Sequence, residues 1–211
     1  FLLARPGAAA PTPAEEERML ASAHVGAGGP ALLEFLRKRS VVKVEREELQ
    51  RLVRQLGAAD AEADRAQADV IAYGPSALSA LRDAHKEAGL NKSKPRIEEC
   101  LRWIEGPVAP ELVRTVVRRL VRLRPDGTVA VLLSFVARGE EEAIDEARQA
   151  LVALAIRDGK TDAILEDAAF KETDQPRRFT AIEVLCQADV TEVVRKLFRD
   201  PSPEVRLHTA S

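Results

Sequence analysis

From Ala14 onward, apolar residues recur at three- and four-residue spacing in short blocks. No stretch alternates apolar and polar residues as a half-buried strand would. The blocks are cut by Gly29-Pro30, Gly74-Pro75 and Gly106-Pro107, each setting a helix stop beside a residue tolerated only in a first turn. This punctuation restricts the chain to an all-α fold with no sheet. The spacing predicts helices over 14–24, 30–39, 44–56, 60–73, 76–88, 94–104, 109–123, 126–138, 141–157, 161–169, 175–187, 190–198 and 203–211. The openings at Gly29 and Gly74 are alike: small residues come first, then Leu pairs that make one apolar face.

The 211 residues exceed the common single-domain size, which an elongated array accommodates without a second globular core. Apolar residues make up 45% and aromatics only 4%, so the core is built from Leu, Val, Ile and Ala. With Lys+Arg 32 against Asp+Glu 34, the net charge of −2 gives no global drive toward nucleic acid or an anionic membrane. No apolar run approaches the roughly 20 residues that span a bilayer. Cys100 and Cys186 lie far apart, outside any CxxC or His-flanked cluster, and read as apolar helix positions rather than zinc or haem ligands.

Residues 1–13 stand apart. Phe1-Leu2-Leu3-Ala4, then Ala8-Ala9-Ala10 and Pro11-Thr12-Pro13, read either as a signal-peptide remnant or as a disordered linker. The first reading implies an exported protein, the second a cytoplasmic one. Residues 14–44 read as an N-terminal helical cap and 45–211 as a repeat array. The polar run Lys86 to Lys94 reads as an exposed loop between two groups of helices.

The array has an internal signature. Asp200-Pro201-Ser202-Pro203-Glu204-Val205-Arg206 sets an Asp five and six residues before a Val-Arg pair. Asp200 would cap a helix N-terminus, Val205 would enter the core, and Arg206 would reach carboxylates or carbonyls at the next turn. Asp174 through Leu185 repeats the unit with a shorter Asp-to-Arg spacing. Glu142 through Leu151 repeats it with Glu in the Asp place and Ala in the Val place. Arg148, Arg178 and Arg206 thus recur near the period of a two-helix repeat.

These units resemble HEAT repeats, and the alanine-rich Gly-Pro openings are similar to those of HEAT-repeat proteins abundant in planctomycete-type bacteria, many of which look exported. The resemblance covers about residues 45–211. It implies an α-solenoid of stacked antiparallel helix pairs in which Asp174, Asp200 and the Arg148, Arg178 and Arg206 side chains link adjacent repeats. It also implies that the native chain continues past Ser211, which follows the last Val-Arg pair closely. Such repeats serve many partners and name no activity.

Catalysis needs convergent groups. His24, His85 and His208 fall in different segments, and no Ser, zinc, phosphate-loop or calcium-loop motif accompanies them. The expectation is no enzyme, no cofactor and no metal. The runs Glu15-Glu16-Glu17 and Glu140-Glu141-Glu142 sit at helix starts, where the dipole favours negative charge. Gly159 in Asp158-Gly159-Lys160 reads as a helix C′ residue. Trp103 and Tyr73, each near a helix end, read as core residues with a polar tip in water.

Arg114, Arg118 and Arg122 align at four-residue spacing opposite an apolar face of Leu112, Val113, Val116, Val117 and Leu120, and Arg119 and Arg124 extend the stripe. It reads as a solvated face paired with acids on neighbouring helices, or as a contact for an anionic partner. Three functions follow. The first is a non-catalytic protein-interaction scaffold. The second is a nucleic-acid-binding protein similar in architecture to the alkylpurine DNA glycosylases, disfavoured by balanced charge and few aromatics. The third is a chromophore-lyase-like modifying protein, supported by the repeat resemblance alone.

Overall fold

Thr12 opens the first helix by a reciprocal cap. Its hydroxyl accepts the Glu15 N–H at 3.3 Å, and the Glu15 carboxylate accepts the Thr12 N–H at 2.7 Å. The helix, α1 (Pro13–Ser22), belongs to a computed structural model that describes residues 11–41, 43–87, 92–138, 141–157 and 160–210, with the side chains at 141 and 142 left aside. The linker or signal remnant at 1–10, Glu140 of the second acidic run, residues 88–91 of the polar loop and Asp158-Gly159 lie outside the described residues.

The chain continues through α2 (Gly29–Arg39), α3 (Arg46–Gln55), α4 (Asp60–Tyr73), a 3₁₀ turn (Gly74–Ala77), α5 (Leu78–Lys86), α6 (Lys94–Glu105) and α7 (Ala109–Leu123). It goes on through α8 (Thr128–Arg138), α9 (Glu141–Ala155), α10 (Ala163–Lys171), α11 (Gln175–Gln187), α12 (Thr191–Leu197) and α13 (Pro203–Thr209). Proline stands in the first turn of α1, α2, α6, α7, α11 and α13, where its missing N–H leaves no bond unmade.

Among the described residues the fold is all-α apart from one small feature that the periodicity did not show. The helix predicted over 141–157 stops at Ala155, and β1 (Ile156–Arg157) pairs antiparallel with β2 (Lys160–Thr161), Ile156 opposite Thr161. The β-branched residues on either side of an Asp-Gly pair were the missed signal, since that dipeptide favours hairpins. Gly74, with a φ of +56°, stops α4, and the helix predicted over 76–88 begins as the end of a 3₁₀ turn that reaches Ala77 before α5 starts at Leu78.

Packing follows a regular rule in the C-terminal half. Alternate helices touch, α7 with α9, α9 with α11 and α11 with α13, while α8/α9, α10/α11 and α12/α13 pack as sequential pairs. In the N-terminal half α3 packs on α4 and α5 on α6, with α3 against α5 and α4 against α6. The segment read as a cap joins these halves. Helix α2 touches α4 on one side and α7 and α8 on the other, and α1 lies on α7. One apolar cluster runs through all of this from Leu20 to Val205, with Leu32, Leu36, Leu112 and Leu132 fully enclosed.

Candidate functional site: an ion-pair ladder and a groove

On α7 the apolar residues Leu112, Val113, Val116, Val117 and Leu120 are buried, which turns Arg114, Arg118 and Arg122 to the flank that meets α1 and α9. Acids from three helices meet them. Glu16 of α1 has no exposed side-chain surface. One oxygen lies 3.2 Å from Arg118 Nε, and the other pairs with the Arg122 guanidinium. Arg118 also reaches Glu111 at 2.5 Å and Glu146 of α9 at 3.2 Å, and Arg114 lies 3.5 Å from Glu111 and 3.9 Å from Glu146. Arg119 donates to the Ala27 carbonyl at 3.0 Å and faces Glu17 at 3.7 Å.

The local electrostatics follow from this crowding. Burial works against the charge on Arg118, but the hydrogen bond it donates to Glu111 and the charges of Glu146 and Glu111 outweigh it and hold its pKa above the ordinary guanidinium value. Glu146 goes the other way from a usual salt-bridged acid. Its burial, with Glu111 adding to it, exceeds the pull of Arg118, so its carboxyl sits above the ordinary carboxylate value.

A second run of contacts continues across α9, α11 and α13. Arg148 donates to Glu183 at 2.5 Å, and the other Glu183 oxygen lies 3.0 Å from His208 Nε2. The His208 ring stacks on Phe179 with centroids 4.6 Å apart. Beside it, Arg178 donates to the Ala169 carbonyl at 3.0 Å and to the Asp200 carboxylate at 2.8 Å, while Arg206 donates to the Asp200 carbonyl at 2.7 Å. Val205 is buried in the core.

The structure separates the three repeat arginines. Arg178 and Arg206 each occupy the fourth position of their helices, counted from Gln175 and Pro203. Arg148 stands a turn further along α9, which begins at Glu141, and it serves the Glu183 contact instead. Asp200 is not the cap of α13. Ser202 is, accepting the Val205 N–H, while Asp200 receives the Ser202 N–H at 2.9 Å and keeps its other oxygen for Arg178. Asp174 likewise makes no cap hydrogen bond and pairs with Arg138 of α8 at 2.6 Å.

Sequence reasoning missed Glu16, Glu146, Glu183 and Arg138 as partners. For Glu16 a signal existed, because Glu16, Leu20 and Ala23 share one helical stripe and both apolar members are buried. The histidines do not converge: His24 faces Asp64 at 3.7 Å, His85 faces Glu98 at 3.1 Å and His208 faces Glu183. Among the described residues no group of three or more His, Cys, Asp or Glu is placed to hold a metal ion, and no helix is long and apolar enough to cross a membrane. Trp103 is 7% exposed and its indole N–H is enclosed in the core, not wet at its tip. Tyr73 is half-buried beneath the Lys38 ammonium, 5.5 Å from the ring centre.

An open groove of about 700 Å³ lies between α3 and α5. Val44, Leu49, Val53, Ala80 and Ala84 line its apolar part. Arg46, Gln50 and Arg54 stand along one rim, and Asp83 and Glu87 along the other. No protein-family model, curated protein or solved structure matches the chain.

Proposed function

We propose that this chain is a non-catalytic protein-interaction scaffold built as a HEAT-like α-solenoid. The observation that carries this reading is the direction of its ion pairs. They step from helix to helix, Glu16 to Arg118 to Glu146 and then Arg148 to Glu183 to His208, so they brace neighbouring helices and do not converge on a reaction centre. A braced stack of short helices presents a fixed surface to a partner, which is how helical-repeat proteins recognise others.

Nucleic-acid binding of the kind known for alkylpurine DNA glycosylases needs free cations lining a groove, with an aromatic and a carboxylate at its centre. Here Arg114, Arg118 and Arg122 all face protein carboxylates, and Trp103 is buried. No observation favours a chromophore-lyase-like activity.

The test is enrichment of binding partners on the tagged 211-residue chain from nuclease-treated lysate at physiological salt, with partners identified by mass spectrometry. The scaffold reading expects a protein retained in stoichiometric amount whose capture is competed by untagged chain. Loss of all capture on nuclease treatment would overturn it.

A further inference from the structure

We infer that the groove between α3 and α5 is a docking site for an amphipathic helix of a partner protein, one that carries acids on one flank and bases on the other. The proposal rests on the scaffold reading and assigns it a place. The walls are two helices with no free strand edge, so recognition has to come from side chains, as in the helix-in-groove mode. On the α5 side the residues are short, Ser79, Ala80 and Ala84, which lets a third helix approach closely.

The rims decide the occupant. Arg46 and Arg54 are exposed on the α3 side and Asp83 and Glu87 on the α5 side, and none of these four side chains has a hydrogen-bond or ion-pair partner among the described residues. The contrast within α3 is direct. Arg51, turned away from the groove, holds Glu48 at 2.7 Å and Gln55 at 2.9 Å. The bases at 46 and 54 stand eight residues apart, roughly 12 Å along a helix, and the acids at 83 and 87 about one turn apart. A helix presenting two carboxylates at seven- or eight-residue spacing and two lysines at four-residue spacing on the opposite flank therefore meets both rims at once. Duplex nucleic acid or an anionic membrane would be attracted by one rim and repelled by the other.

Two helical peptides with the same apolar face test this, one with that charge arrangement and one with the two flanks exchanged. Each is titrated into the isotopically labelled 211-residue chain and followed by amide chemical shifts. The matched peptide should saturate, shift resonances of α3 and α5, and bind about tenfold or more tighter than the exchanged one. Arg46→Glu and Arg54→Glu combined with Asp83→Lys and Glu87→Lys should reverse that preference. All four positions are exposed, so the variant keeps its fold, checked by thermal melting. Equal affinity for the two peptides, shifts confined to other helices, saturation by neither peptide, or self-association of the chain through this groove would each overturn the proposal. A lysate partner retained equally by the four-residue variant would sink the groove and leave the scaffold reading standing. Failure to capture any protein with the unaltered chain would count against the scaffold reading itself.

Discussion

Glu16 in the first helix places its carboxylate 3.2 Å from the guanidinium of Arg118, 102 residues later in the chain, with no side-chain surface left to solvent. This contact ties α1 to α7 and, through Glu146, to α9. Removing it should be felt across the middle of the chain. Glu16→Gln leaves Arg122 without its carboxylate and should cost about 2 kcal/mol, the range for hydrogen bonds to charged groups. Glu16→Arg, which buries a like charge beside Arg118, should cost more. Urea midpoints of the two variants, compared with Glu17→Gln as an exposed control, give the answer. A Glu16→Gln midpoint equal to that of the control would show the pair to be idle.

Arg178 and Asp200 make the corresponding link among the C-terminal helices. Asp200 is 6% exposed, so truncating its cation leaves a buried charge, and Arg178→Ala should destabilise by about 3 kcal/mol. The loss should be local. Hydrogen exchange of α13 amides should speed up strongly while α3 to α6, which lie away from its main packing partners α11 and α12, keep their protection.

Gly74 fixes the junction of α4 and α5. Its φ is +56°, and a Cβ there would lie 2.6 Å from atoms of the Arg39 guanidinium, which is packed against it while donating to the Ile71 carbonyl. Gly74→Ala should therefore destabilise by about 1–3 kcal/mol through backbone strain and displacement of Arg39. A thermal midpoint unchanged by the substitution would mean that the turn has relaxed at no cost.

Two kinds of carboxylate give opposite acid responses. Hydrogen bonding to Thr12 holds Glu15 below its ordinary value, and the hydrogen bond from Arg96 does so for Asp64. Each contributes stability that is fully present above its ordinary pKa and is lost as pH falls through the folded value. Glu146 is raised by burial, so its contribution is present below the ordinary value and is lost as pH rises through the folded one. In a series of urea midpoints against pH, Glu146→Gln should remove the decline just above the ordinary carboxylate range. Glu15→Gln should flatten the loss just below it. An unchanged profile in both variants would contradict these assignments.

The cysteines should differ in reactivity. Burial pushes the Cys100 thiol up to about 12, while Cys186 is half-buried and raised for the same reason to a smaller degree. At pH 8 a thiol reagent should modify Cys186 slowly and Cys100 only in denaturant. Rapid labelling of native Cys100, located by peptide mapping, would contradict its burial.

The helices were legible because periodicity is local. Leu32 and Leu36, or Leu112, Val116 and Leu120, announce a buried face within a few turns of chain. The Arg206 contact was legible for the same reason, since Arg206 reaches back to the carbonyls of its own Asp-Pro turn, whereas the Arg178 contact with Asp200 spans 22 residues. The order of packing was not. That α2 touches α4 as well as α7 and α8 depends on which faces fit, and nothing near residue 30 encodes that. Arg148 stands a turn further along its helix than Arg178 and Arg206 do on theirs, and its partner, Glu183, lies on another helix at a distance of 35 residues. Glu16 shows both sides: its stripe with Leu20 and Ala23 told of burial, but its arginines could be found only in three dimensions.

Whether the chain recognises protein or nucleic acid is decided most directly by titrating labelled duplex and single-stranded DNA at physiological salt, with Arg122→Glu as control. With 47% of its side chain exposed, Arg122 is the most exposed of Arg114, Arg118 and Arg122, and thermal melting of the variant checks that the fold survives loss of the pair with Glu16. Tight binding to duplex uses roughly 6–10 phosphate contacts, and the α7 arginines are already engaged by Glu16, Glu111 and Glu146. The predicted result is no submicromolar affinity for either strand form, with at most weak binding that salt removes. Submicromolar affinity abolished by Arg122→Glu would contradict the account and make the arginine row a nucleic-acid site.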